Sequence, residues 1–167
     1  AIFFLLLIVW FYRAPFIDIP IYNLQSNELY SPTFGVIEGI EQIQWGNTRG
    51  YKISIFLALW DIHIQYFPTS GNVISQEYTP YSVSTTMSNL MTGTPDERKI
   101  TIVQRIGIVA RRIHTPIHSG PVQSGSRIGI IKLGSHVDIY FSSRYNPIVV
   151  EGKKMEGPYS LLAKWII

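Results

Sequence analysis

A small set of residues in this 167-residue chain carries side chains able to do covalent or acid–base work. Gly134-Ser135 sets a hydroxyl beside an unhindered carbonyl, although a Gly-Ser pair by itself is also the material of a plain β turn. Asp61-Ile62-His63 offers a carboxylate and an imidazole two positions apart, too close on an extended chain to be assumed partners. Ser135, His63 and Asp61 are the residue types of a hydrolase triad, but no Gly-x-Ser-x-Gly elbow is present to present the nucleophile. His114 and His118 stand four apart, yet Pro116 between them removes the helix that would place both on one metal-binding face. No metal site is therefore expected. The glycines from 120 to 134 lack the Gly-Lys-Ser/Thr ending of a phosphate loop. With no cysteine, thiol nucleophiles, disulfides and zinc-thiolate sites are excluded.

The elements that must hold these groups read as strands. From Tyr30 onward, short apolar runs alternate with clusters of Gly, Pro, Ser and Asn, the pattern of an all-β domain. Ile53, Ile55, Leu57 and Leu59 fall on one face and Phe56, Ala58 and Trp60 on the other, predicting a strand buried on both sides that runs into Asp61. Val137, Ile139 and Phe141 alternate with Asp138 and Tyr140, predicting a half-buried strand just after Ser135. Ile100–Val103 and Ile106–Ala110 are further strands. Residues 79–97 have no apolar period and read as a long surface loop. The Gly turns at Ser31–Ile37 and Pro68–Ile74 echo each other weakly. The turn-rich stretch Gly120–Gly129 resembles the small sandwich-barrel hybrids that carry biotin or lipoyl groups.

At 46% apolar and 15% charged, the chain fits one domain with one core and an apolar excess. Much of that excess lies in residues 1–12, from Ala1 through Trp10-Phe11-Tyr12 to Arg13, which read as the end of a transmembrane or membrane-dipping helix with an interfacial girdle. Pro15 and Pro20 forbid a regular helix beyond it. The expected organisation is a membrane-anchor segment at 1–13, an extended connector at 14–29 and a β domain at 30–167, the protein being membrane-associated through its N-terminal segment. Net charge is +3, but Arg98, Lys99, Arg105, Arg111, Arg112, Arg127 and Lys132 occur in a stretch to Val137 that holds no acid. Such a segment fits anionic phospholipid headgroups. Without a nucleic-acid fold fingerprint, no nucleic-acid partner is expected.

Four blocks in order resemble the short, bacterial-type branch of the phosphatidylserine decarboxylase proenzymes. They are Trp10-Phe11-Tyr12-Arg13-Ala14-Pro15; Ser31-Pro32-Thr33-Phe34-Gly35; the run from Ile53 through Asp61-Ile62-His63 to Pro68-Thr69-Ser70-Gly71; and the segments from Asp96-Glu97-Arg98 through Ala110-Arg111-Arg112-Ile113 to Leu133-Gly134-Ser135-His136-Val137-Asp138. The resemblance implies an all-β sandwich-barrel hybrid of lipoyl/biotinyl-like type with a short N-terminal membrane helix. It also implies self-cleavage between Gly134 and Ser135, with Ser135 becoming a covalent pyruvoyl group and no need of metal or pyridoxal phosphate. His63 is then the candidate base for cleavage and acid for turnover, with Asp61 beside it. Arg111, Arg112, Arg127, His136 and Tyr66 are candidates for binding the anionic substrate.

Three positions depart from the family pattern. Phe34 stands where members usually have Asp, a carboxylate implicated in self-cleavage. Tyr66 stands where they have His or Arg, and His136 where Thr or Arg is usual. Two functions of different class follow. One is a pyruvoyl-dependent enzyme making phosphatidylethanolamine and CO2 from phosphatidylserine. The other is a catalytically retired relative, serving as a membrane-associated structural or assembly subunit of a homo-oligomer or larger complex.

Overall fold

A computed structural model describes residues 1–11, 13, 27–106, 112–132 and 135–166. One helix, α1 (Ile2–Phe11), precedes the β domain, and a single turn, α2 (Pro95–Arg98), interrupts it. The strands are β1 (Glu28–Tyr30), β2 (Phe34–Trp45), β3 (Thr48–Leu57), β4 (Ile64–Tyr66), β5 (Gly71–Tyr78), β6 (Ser82–Asn89) and β7 (Lys99–Ile106). They continue as β8 (Arg112–His114), β9 (Gly120–Val122), β10 (Arg127–Lys132), β11 (Ser135–Ser142), β12 (Tyr145–Pro147), β13 (Lys154–Glu156) and β14 (Leu161–Trp165). An eight-stranded sheet runs β13-β2-β3-β11-β7-β6-β5-β9, and two three-stranded sheets run β4-β10-β8 and β1-β14-β12. Among the described residues neighbouring strands are antiparallel, and no closed barrel forms. The all-β expectation holds at this level.

Alternation sets the core. Ile53, Ile55 and Leu57 of β3, Val137, Ile139 and Phe141 of β11, and Ile100 and Ile102 of β7 all point inward and are buried. Ser135 shares that inward face, opposite Leu57 on one side and Ile106 on the other. On the reverse face Asp138 is also buried, its carboxylate held by Arg105 through Nε at 2.7 Å and Nη2 at 3.1 Å. Burial of a carboxylate is tolerated when such a two-point partner replaces its water.

The structure corrects several expectations. β3 is buried on one face only: Phe56 is exposed, and the strand stops at Leu57, leaving Leu59 and Trp60 in an exposed turn. The turn closes because Asp61 N–H donates to the Ala58 carbonyl and the Asp61 carboxylate accepts from Ala58 N–H. Residues 79–97 are not a long loop, since they contain β6 and α2. The inward row of β6 is Val83, Thr85, Met87 and Asn89, so half of its buried side chains are polar and hide the alternation. Asn89 is satisfied by donating to Tyr145 Oη at 2.6 Å, and Thr94 with Glu97 forms a capping box that starts α2. Of the basic stretch, Arg105 and Lys99 are engaged by Asp138 and Asp96. The strand expected over Ile106–Ala110 is described only at Ile106, and residues 107–110 lie outside the described residues, as do 14–26 of the expected connector.

The N-terminal membrane anchor is not supported. α1 has ten residues, or about 15 Å of helix against the ~30 Å of a hydrocarbon core. Among the described residues no helix is long and apolar enough to cross a membrane. Arg13, expected at a headgroup girdle, instead contacts the β domain. Its Nη2 donates to the Trp60 carbonyl at 2.8 Å, its Nη1 to the Trp10 carbonyl at 2.9 Å, and its guanidinium lies 4.4 Å from the Trp10 ring centre.

Candidate active site around Ser135 and His63

Ser135 is the first described residue of β11, paired with Leu57 at the end of β3 and with Ile106, the last described residue of β7. Its side chain is buried, and among the described residues its hydroxyl has no hydrogen-bond partner. A buried hydroxyl without a partner is uncommon, because its desolvation is then uncompensated. His63 arrives from the other sheet. It immediately precedes β4, which pairs with β10, and the Ile131 N–H donates to the His63 carbonyl at 3.1 Å. Ile131 lies on β10, four residues before Ser135 in the sequence. Asp61 is placed by the Ala58 turn at the end of β3, whose last residue, Leu57, is paired with Ser135.

His63 is 1% exposed, and burial pulls its pKa below the ordinary 6.5. A hydrogen bond to the Asp61 main chain and the Asp61 charge oppose that fall, while the Arg13 charge adds to it. The imidazole is consequently neutral near pH 7 and able to accept a proton.

The remaining candidates separate. Tyr66 is buried at the end of β4, and its hydroxyl lacks a partner among the described residues. Burial pushes its pKa up to about 12, against the opposing charge of Arg127, which faces it in register on β10. Phe34 meets Tyr66 edge-on, with ring centres 6.3 Å apart. Gly157 makes room for that ring: with φ +59, a Cβ there would be both strained and 2.5 Å from Phe34. The two principal departures from the family pattern are thus one contact. Arg112 and Arg127 are exposed. His136 points to the face opposite Ser135, where its Nε2 is 2.9 Å from Glu38 and its ring centre 5.4 Å from that of Phe56. Gly134 and Arg111 lie outside the described residues. His114 ends β8, and the His118 ring nitrogen Nε2 is 2.8 Å from the Ile128 carbonyl oxygen.

Two buried glutamines went unread in the sequence. Gln65 Nε2 donates to the His63 carbonyl at 2.8 Å, Gln104 Nε2 donates to Gln65 Oε1 at 2.8 Å, and the Thr115 hydroxyl donates to Gln104 Oε1 at 2.7 Å. The signal was present: in the row Ile100, Ile102, Gln104, an amide takes the position where alternation demands an apolar side chain.

An antiparallel β domain that buries the Ser135 hydroxyl and a histidine with a lowered pKa defines the class. Comparison with known proteins narrows it. The family model for phosphatidylserine decarboxylase matches residues 4–163, and the chain belongs to that family. A phosphatidylserine decarboxylase proenzyme of Gluconobacter oxydans is 32% identical over 133 aligned positions, covering 73% of this chain and 59% of the relative. One from Rickettsia bellii is 29% identical, covering 93% and 73%. One from Paraburkholderia xenovorans is 32% identical, covering 96% and 80%. The chain thus spans from about three fifths to four fifths of these relatives' lengths. No solved structure matches it.

Proposed function

We propose that the chain is a phosphatidylserine decarboxylase proenzyme that cleaves itself between Gly134 and Ser135 and then converts phosphatidylserine to phosphatidylethanolamine and CO2. The observation that carries this reading is the buried Ser135 hydroxyl, unpartnered among the described residues, in a domain that also buries His63. An idle hydroxyl there fits the precursor of a pyruvoyl group, because none of the described residues competes for it. Ser135 Oγ adds to the Gly134 carbonyl carbon, giving up its proton to His63. The amide C–N bond breaks as the ester C–O bond forms, and the freed amine takes the proton back. Loss of the Ser135 α-proton expels the Gly134 carboxylate, and hydrolysis of the resulting enamine releases ammonia and leaves pyruvoyl. A positioned base contributes roughly 10²–10⁴-fold to such a step.

In turnover the pyruvoyl carbonyl supplies the electron sink for the pair left behind by CO2. His63 then returns a proton to the substrate carbon. Arg112 and Arg127, both exposed, are the proposed contacts for the anionic headgroup. The same reading takes the three antiparallel sheets as an open form of the sandwich-barrel hybrid of lipoyl and biotinyl domains.

A second reading, a retired relative kept as a structural or assembly subunit, is favoured by the Phe34–Tyr66 contact. Neither ring supplies a base near neutral pH, since the Tyr66 phenol stays protonated until about 12.

Intact-mass measurement of the purified protein separates the two. The enzyme reading expects two fragments divided at Gly134–Ser135, the second bearing pyruvoyl, and a single uncut chain for Ser135→Ala. A wild-type chain that stays whole on prolonged incubation would establish the retired relative.

A further inference from the structure

We propose that Gln65, Gln104 and Thr115 form a buried bridge that positions His63 relative to Ser135, making all three positioning residues for the reaction. The inference deepens the enzyme reading and rests on it for its catalytic consequence.

The bridge joins two sheets. Gln104 belongs to β7, next to the strand that begins with Ser135, and it is paired with Val137, the next inward-facing residue after Ser135. Gln65 belongs to β4, in the sheet that carries His63. The bond between the two amides therefore fixes how the Ser135 strand and the His63 strand sit against each other. Gln104 is flanked in its row by Val137 and Val83, and both glutamines are fully buried. Two primary amides in such surroundings are destabilising unless their hydrogen bonds are made, so apolar side chains would fill the space with less risk.

The direction of every bond is dictated by chemistry. The His63 carbonyl can only accept, so Gln65 must present its NH2 to it. The Gln65 oxygen then faces Gln104, which must present its own NH2. The Gln104 oxygen in turn requires a donor, and the Thr115 hydroxyl is one. The chain consequently has one arrangement and no flipped alternative of equal energy. The Ile131 N–H takes the second lone pair of the His63 carbonyl, so that oxygen is held from two sides. Gly129, on β10 opposite Gln65, permits the approach of Thr115, because a Cβ at 129 would lie 2.5 Å from Thr115 Oγ1. At its outer end the Thr115 carbonyl accepts from Tyr78 Oη at 3.2 Å.

The test uses the full-length protein and two readouts. The first is the rate of Gly134–Ser135 cleavage by intact mass. The second is the titration of the His63 ring by NMR, its signal assigned by its absence in His63→Gln. Asp61 and Arg13 are the charged groups that act on this ring, and neither is altered. Gln104→Met keeps the shape and removes both bonds. It is expected to slow cleavage by roughly 10- to 100-fold, the scale of an ångström-level misplacement. It should also raise the His63 pKa towards 6.5 as water reaches the ring. Thr115→Val should act in the same direction by a smaller factor, and Thr115→Ser should restore both readouts. If Gln104→Met does not fold, the Thr115→Val and Thr115→Ser pair decides alone. Variants that lower the melting temperature yet leave both the His63 titration and the cleavage rate at wild-type values would overturn the inference. If the wild type never cleaves, the enzyme reading fails, and the bridge stands or falls on whether the His63 titration moves.

Discussion

Two sides of the candidate site are built by opposite means. On the side of Ser135, Asp61 and His63, directional bonds set the geometry: the Ala58 turn holds Asp61, and Ile131 and Gln65 hold His63. On the side of Phe34 and Tyr66, the contact is between aromatic rings, edge to face, in space left by Gly157. Directional bonding of this kind is needed to hold a reacting group in place. Ring packing is enough to fill volume. The difference teaches that directional bonds hold Asp61 and the His63 main chain, whereas Phe34 and Tyr66 are part of the packing.

The most damaging way to break the polar side is His63→Gln. It keeps a hydrogen-bonding side chain but removes the proton acceptor, and self-cleavage should slow by roughly 10²–10⁴-fold. Mass spectrometry over a time course reads this directly. Cleavage at the wild-type rate would transfer the base to another group and dissolve the distinction between the two sides.

A double-mutant cycle probes the aromatic side. Phe34→Asp alone should cost about 3 kcal/mol, the low end for truncating a packed phenylalanine, since Phe34 is only half-buried. Tyr66→His alone should also destabilise. Combined, the two should be less harmful than their sum by about 1–3 kcal/mol, because each supplies the other with a charge or hydrogen-bond partner. Urea unfolding midpoints measure the coupling, and the double variant should cleave faster than either single one. Strict additivity would mean that the contact between these rings is incidental.

How much of this was legible beforehand depended on whether a residue obeyed or broke the local pattern. The inward rows of β3 and β11 follow simple alternation and were readable, as was the all-β class. Asp61, His63 and Ser135 were identified by family resemblance, since nothing in their spacing brings sheet termini together. β6 was missed because Thr85 and Asn89 occupy buried positions, their burial compensated by partners distant in sequence or on the neighbouring strand. Phe34 and Tyr66 were read as separate departures; their contact spans 32 positions of chain and exists only once β2 and β4 are folded together. Arg13 was assigned to a membrane boundary from its aromatic neighbours, whereas its guanidinium is bonded to the Trp60 carbonyl, a main-chain acceptor that no side-chain pattern announces.

The smallest predicted effect separates the two sides by pH. Tyr66, pushed up to about 12, does not change charge between pH 5 and 8, so the aromatic side contributes no slope there. His63 does, because burial first, and Arg13 in addition, hold its folded pKa below the unfolded 6.5. Between those two values the unfolded chain binds a proton that the folded chain does not. Stability therefore falls as pH drops below 6.5, by about 1.4 kcal/mol per pH unit, and levels off at the folded pKa. Arg13→Gln removes a like charge, raises the folded pKa and narrows that window. Because Arg13 is partly exposed, the gain in acid should be only a few tenths of a kcal/mol. Urea midpoints at pH 7.5, 6.5 and 5.5 for wild type, Arg13→Gln, His63→Gln and the double variant isolate it. In the His63→Gln background Arg13→Gln should no longer alter the pH slope, and a slope change that persists there would show that Arg13 acts on some group other than His63.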